Sequence, residues 1–196
     1  MNFVIKNINK ALIILSLFLF SCQKTEFIEE IIFDNNLLKK ININAKEIEI
    51  NNLYDLSFSD PFVDHFMSST PVNRVELWLQ DNVVKFGNSN LLVIDIIDAS
   101  ITQNKILKNS NKKYEINKKE EYIYEINFVL NFNLIDDNNL ILSSVNVKVN
   151  HTTTSGDYIS IGERNKLLDL LTLQALRNLS DKSLELLEKH MQEYLI

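Results

Sequence analysis

The stretch EYIYEINFVLNFNLI, Glu121–Ile135, decides the fold. Tyr122, Tyr124, Ile126, Phe128, Leu130, Phe132 and Leu134 stand at every second position, with Glu125, Asn127, Asn131 and Asn133 between them. A period of two puts successive side chains on opposite faces of a strand, so one face is buried and the other is wet. Asp136, Asp137, Asn138 and Asn139 follow as turn chemistry, and a return strand carries Ile141, Val145, Val147 and Val149 on one face. The two runs predict a long hairpin.

Working outward, residues 91–97 are apolar on both faces except at Asp95, which suits a central strand. A polar excursion over residues 102–119 separates that strand from the hairpin, with Lys105, Lys108, Lys112 and Lys113 among asparagines. The first strand spans residues 41–50. Its alternation holds for Ile41, Ile43 and Ala45 and then shifts to Ile48 and Ile50, which reads as a bulge near Lys46 and Glu47.

Two helices complete the pattern. Thr70 can cap the first, Pro71 suits its first position, and Val72, Val75, Leu79, Val83 and Phe86 recur at helical spacing until Gly87. Trp78 on this helix reads as core packing. The last helix runs from Glu163 to about Leu195, with Glu163 at its positive end and Lys189 and His190 near its negative end. The order β-α-β-β-β-α predicts an α+β domain: a mostly antiparallel four-stranded sheet with two helices packed on one face.

Ahead of the domain stands a targeting segment. Lys6 and Lys10 precede an apolar run over residues 11–20 interrupted only by Ser16, too short for the ~20 residues that cross a bilayer. It ends at Leu19-Phe20-Ser21-Cys22, which resembles the lipobox of bacterial lipoproteins. In that family the cysteine is acylated and the peptide before it is removed. The other reading is an uncleaved anchor with an incidental cysteine. Cys22 is the sole cysteine, so no internal disulfide can form, and acylation would consume a lone thiol that is a liability in an oxidising compartment. Gln23, where an aspartate favours inner-membrane retention in such lipoproteins, implies release to the outer membrane. The expected organisation is a signal peptide over residues 1–21, a lipidated tether over 22–40 and a single domain over 41–196. Within the tether, Phe27, Ile28, Ile31 and Ile32 could form one or two helical turns against the domain.

Removing 21 of the 196 residues leaves 175, and removing Lys6 and Lys10 leaves 18 basic against 26 acidic residues, a net charge of −8. An acidic body of this kind argues against nucleic acid as a partner. Three glycines, Gly87, Gly156 and Gly162, lie too far apart for a phosphate-cradling loop, and no G-x-S-x-G elbow or thiolate zinc site is available. His65 beside Asp60 and Asp64 is the one spot with metal-ligating types at close spacing; the plainer reading is a turn at Asp60-Pro61 with His65 partly buried. His151 reads as a hydrogen-bonded residue at a sheet end. No metal, cofactor or catalytic constellation is expected, and the chain reads as a non-enzyme.

The loop over residues 51–69 is the candidate for function, because loops on rigid scaffolds often carry binding and aromatics are enriched at interface cores. Phe58, Phe62, His65, Phe66 and Met67 are its candidate partner-binding residues, read either as a lid over the sheet or as an interface. With Asp60 and Pro61 between them, Phe58 reads as core and Phe62 or Phe66 as exposed.

Element order, size and anchor are similar to the lipopolysaccharide-assembly lipoprotein family, which plugs the outer-membrane translocon barrel, and to other small envelope lipoproteins including activators of peptidoglycan synthases. Asp64-His65-Phe66 with Pro71, Trp78, Asp98-Ala99-Ser100 and Glu163-Arg164 resemble an uncharacterised lipoprotein family of alphaproteobacteria over residues 41–195. The resemblance implies an outer-membrane-anchored protein facing the periplasm, acting as a non-catalytic accessory or adaptor of an envelope assembly or transport machine. The alternative is a binding module for an amphiphile such as lipid or lipopolysaccharide, using the apolar sheet and the Lys105–Lys119 excursion. Cys22→Ala should leave an unprocessed precursor, read by acyl labelling and gel shift; label retained in the variant contradicts lipidation at Cys22.

Overall fold

The computed structural model describes residues 31–106, 121–156 and 159–196. Cys22, the segment before it, Phe27, Ile28 and Lys108 to Lys119 lie outside them. Strand β5 occupies Glu121–Ile135, the bounds its alternation predicts, and Tyr124, Ile126, Phe128, Leu130, Phe132 and Leu134 are buried. It lies between β4 (Leu91–Ile106) and β6 (Ile141–Gly156), antiparallel to both, and β2 (Glu47–Asn52) closes the order β2-β4-β5-β6.

The α+β class holds, but the sheet is mixed. β2 runs parallel to β4, Glu47 opposite Leu91 through Asn52 opposite Ile96. Helix α1 (Pro71–Asn82) lies in the crossover between them, the kind of connection a parallel pair requires. The region expected as one bulged strand is two strands in two sheets: β1 (Ile41–Ile43) pairs in parallel with β3 (Val83–Lys85), and only β2 joins the main sheet. The break falls at residues 44–46, where the Lys46 amide donates to the carbonyls of Ser89 (2.9 Å) and Asn90 (3.0 Å).

β3 also corrects the first helix. Thr70 Oγ1 accepts from the Asn73 amide and Pro71 takes the first turn as expected, but the helix ends at Asn82. Val83 and Val84 are β-branched and favour an extended chain, where they meet Ile41 and Asn42. Gly87 does not stop the helix through a positive φ. It permits close approach, since a Cβ there would lie 2.7 Å from the Ala45 backbone nitrogen.

Two bulges keep the apolar residues of β4 and β6 in phase with β5. One between Ile96 and Asp98 turns Ile97 outward and keeps Ile96, Ala99 and Ile101 inside. The strand continues to Ile106, so residues 102–106 of the polar excursion are strand. The other, at Leu142, sets Ile141 on the outer face, 64% exposed, while Val145, Val147 and Val149 are buried. The turn between β5 and β6 is made by Asp136, whose Oδ1 accepts from the amides of Asn138 and Leu140, both at 2.8 Å. These donors hold its carboxyl below the usual range, the Leu140 amide foremost.

Helix α2 (Ile161–His190) opens on a capping box, with the Ser160 hydroxyl accepting from the Glu163 amide and Glu163 accepting from the Ser160 amide. Its 30 residues cover ~45 Å, and a 3-10 turn over Gln192–Tyr194 replaces the helix expected to Leu195. Both helices bury their apolar stripes in one core with the inner face of the sheet, Trp78 included. The outer face carries cross-strand amide bonds: Asn146 to Asn131 at 2.9 Å, Asn150 to Asn127 at 2.7 Å, and Asn51 and Asn133 to Asp95 at 3.1 and 3.3 Å.

Residues 34–40 are fastened to this core. Leu38 is buried, the Lys39 amide donates to Ser180 Oγ (2.7 Å), and the Asn82 side-chain amide reaches the carbonyls of Asn35, Leu38 and Lys39. Ile31 and Ile32 form no helical turn. Asn82→Ala should cost about 1–3 kcal/mol, the cost of stranding buried acceptors, measured by urea denaturation. A loss below about 0.5 kcal/mol would mean that Leu38 and the Lys39–Ser180 bond hold the strap without Asn82.

Candidate functional site

The loop after β2 is held at both ends by β4. The Leu53 amide donates to the Ile96 carbonyl (2.9 Å); beyond the bulge, the Val63 amide donates to Ile101 and the Gln103 amide to Pro61, at 2.9 and 2.8 Å. Phe62 therefore sits opposite Thr102 in an antiparallel bridge and is half-buried. Val63 and Met67 point into the core, with the Thr172 hydroxyl 4.0 Å from the Met67 sulfur. Met67 is thus a core residue and leaves the candidate surface.

Between them Asp64, His65 and Phe66 form a single 3-10 turn. Asp64 is fully buried; the Tyr54 hydroxyl donates to its Oδ2 at 2.6 Å, and Oδ1 has no partner among the described residues. Burial holds this carboxyl above the usual range, outweighing the Tyr54 bond that lowers it. Burial first, then the bond to Asp64, likewise pushes the Tyr54 hydroxyl well up.

The turn delivers the next two side chains outward. His65 Nδ1 lies 3.1 Å from the Ser57 carbonyl, and its ring lies 5.4 Å from Phe58 and 3.9 Å from Phe66. Arg164, in the first turns of α2, places its guanidinium 4.8 Å from the Phe66 ring centre, a cation–π distance. Phe58 is 77% exposed and Phe66 50%. Phe58 was expected inside and is instead the most exposed aromatic of the row: the loop's inward positions go to Val63, Asp64 and Met67. Ile161, 75% exposed and three residues before Arg164, extends the surface along the helix.

Asp64 turns to Tyr54 and His65 to Ser57, so the Asp60–Asp64–His65 spacing is not gathered, and no cluster of three His, Cys, Asp or Glu side chains is set to hold a metal among the described residues. His151 bonds the Asn178 side-chain amide, and the His190 carbonyl accepts from Ser143 Oγ. Two open clefts lie elsewhere: one of about 510 Å³ beside Lys40, Glu188 and Ile196, one of about 370 Å³ between β6 and α2 beside Lys148, Asp181, Lys182 and Glu185.

No family model matches the chain, and no curated protein matches it. Several solved structures resemble it loosely, three of which illustrate the likeness. A minor lipoprotein from Acinetobacter baumannii aligns at 11% identity over 71% of this chain and 87% of its own, TM-score 0.36. A putative neuraminyllactose-binding hemagglutinin homolog from Helicobacter pylori aligns at 13% over 85% and 97%, TM-score 0.35. Rare lipoprotein B from Shewanella oneidensis aligns at 14% over 74% and 100%, TM-score 0.36. At these scores no function passes from them to this chain.

The placements predict a clear split in stability. Phe58→Ala should change it by less than about 0.5 kcal/mol, as surface changes usually do. Met67→Ala should cost ~2–5 kcal/mol and Phe128→Ala ~3–5 kcal/mol, as buried truncations do. Urea titration of the three variants checks this; a Phe58 loss equal to that of Phe128 would put the ring inside the domain.

Proposed function

We propose that this chain is a lipid-anchored protein of the bacterial outer membrane that faces the periplasm and acts as a non-catalytic accessory of a larger envelope machine, docking a protein partner on the Phe58–His65–Phe66 row. The observation that carries the reading is the row itself: two exposed aromatic rings flanking the His65 imidazole, with Arg164 over one end. Aromatic residues and arginine are the types that dominate interface hot spots.

The loop's backbone bonds to β4 support the same reading. A surface already held in place loses little freedom when a partner binds, so less of the contact energy is lost to ordering. The lipobox-like run at Leu19 to Cys22 and the lone cysteine support the anchor. The cleft between β6 and α2 is lined mainly by charged and amide side chains, which suit water better than acyl chains; the cleft beside Lys40 mixes Lys40 and Glu188 with Leu184, Leu195 and Ile196.

A photoreactive amino acid placed at position 58 in cells should crosslink the acylated protein to one discrete protein. The same group at Leu77, exposed on α1, should not. Phe58→Ala combined with Phe66→Ala should weaken that association by about 2 kcal/mol or more, roughly 30-fold, without unfolding the domain. Equal crosslinking from both positions would contradict the assigned surface.

A further inference from the structure

Ile32 is the most exposed large apolar side chain among the described residues, at 82%, and Leu37 stands at 72%. Both belong to the strap, whose backbone is fastened by Asn82 and Ser180 and whose Phe33 and Leu38 pack on the core. The strap runs along α1. The Arg74 guanidinium lies 3.8 Å from the Phe33 ring centre, and Asn35 Nδ2 donates to Asp81 Oδ2 at 2.8 Å. Leu77, also exposed, stands three residues after Arg74 and four before Asp81, so it shares their row on the helix beside the strap. Ile32, Leu37 and Leu77 therefore line one flank of the domain, on the helix side of the sheet. The charges of that flank cancel, with Lys39, Lys40 and Arg74 against Asp34, Glu76 and Asp81.

The chain sets what this flank meets. Cys22 is ten residues before Ile32, and ten residues reach at most ~33–36 Å even when fully extended. Helix α2 alone is ~45 Å long, so the tether is shorter than the domain and holds the strap, of all its surface, within reach of the bilayer. Three aliphatic side chains are too few to bring a free domain to a membrane. On a short tether they face it at an effective concentration of about millimolar, where weak apolar contact is enough. We propose that the flank bearing Ile32, Leu37 and Leu77 seats on the bilayer that holds the Cys22 acyl chains, with these side chains at the boundary between headgroups and hydrocarbon. The inference rests on the lipid anchor of the proposed function. The Phe58 row is a separate surface: Arg164 precedes Ser180, where the strap is fastened, by 16 residues of α2 or ~24 Å.

Fluorescence quenching tests this on the acylated protein in vesicles of phosphatidylethanolamine and phosphatidylglycerol. Acylation blocks Cys22, so a single cysteine introduced at position 32, 37 or 77 takes an environment-sensitive dye. The same dye at Thr152, exposed on the outer face of the sheet opposite Glu125, is the control. Nitroxide groups on the lipid acyl chains should quench the dyes at 32, 37 and 77 at least about threefold more than the dye at 152. About 0.5 M salt should leave that difference in place, because apolar contact is not screened. Ile32→Asp combined with Leu37→Asp should reduce quenching at 77 by about threefold or more, while the protein still floats with the vesicles on its acyl chains. Quenching at 32, 37 and 77 no greater than at 152, in protein that floats, overturns the seating and leaves the anchor standing. A difference abolished by salt also overturns it, since charge would then hold the flank. A parent protein that does not float overturns the anchor and the seating together. Should the double variant lose its circular dichroism, the contrast among the four dye positions in the otherwise unchanged chain decides.

Discussion

Six side chains of β5, at every second position from Tyr124 to Leu134, lose almost all contact with water beneath α1 and α2. Because side chains alternate at a period of two, sliding the strand by one place would turn all six to the outer face. At about 1.5–3 kcal/mol for each fully buried large apolar side chain, the slip would cost roughly 9–18 kcal/mol. That matches or exceeds the ~5–15 kcal/mol by which such domains are stable. The neighbouring strands accommodate this register through bulges at Ile97 and Leu142, which restore their phase. The outer face, free of this constraint, is tied across strands by asparagine and aspartate side chains.

Features that depend on a short window of residues were legible in the sequence. The bounds of β5, the turn at Asp136, the Thr70–Pro71 helix start and the position of Glu163 at the head of α2 follow from alternation, turn chemistry and capping. Features that depend on distant partners were not. Val83 and Val84 continue a helical spacing, yet they extend because β1 offers them a parallel partner some forty residues earlier in the chain. Residues 41–50 look like one bulged strand because nothing local says that Ile41 and Ile48 belong to different sheets. The parallel sense of β2 is set by the α1 crossover rather than by its own residues.

The candidate site divides in the same way. That residues 51–69 hold an unusual share of aromatic side chains is plain from composition, and so is the lipobox-like run at Cys22. Which rings face outward is decided elsewhere, where Phe62 and Val63 meet β4 and where Asp64 turns in to Tyr54. With those two anchors in place, Met67 falls into the core and Phe58 falls outside, the reverse of a reading from residue type alone. Arg164 reaches the site only through the fold, by the docking of α2 beside the loop. The exposed row is thus a product of the one-sided sheet: the strand that fills the core also supports the strand edge from which the loop presents its rings.

Cysteine accessibility along β5 tests this one-sided burial most directly. In a Cys22→Ser background, single cysteines at positions 127 through 133 would be exposed to a maleimide under native conditions. Positions 127, 129, 131 and 133 should react readily, and 128, 130 and 132 only as fast as the domain unfolds. Uniform reactivity, or protection of both sets alike, would contradict a sheet with one covered face and one open face.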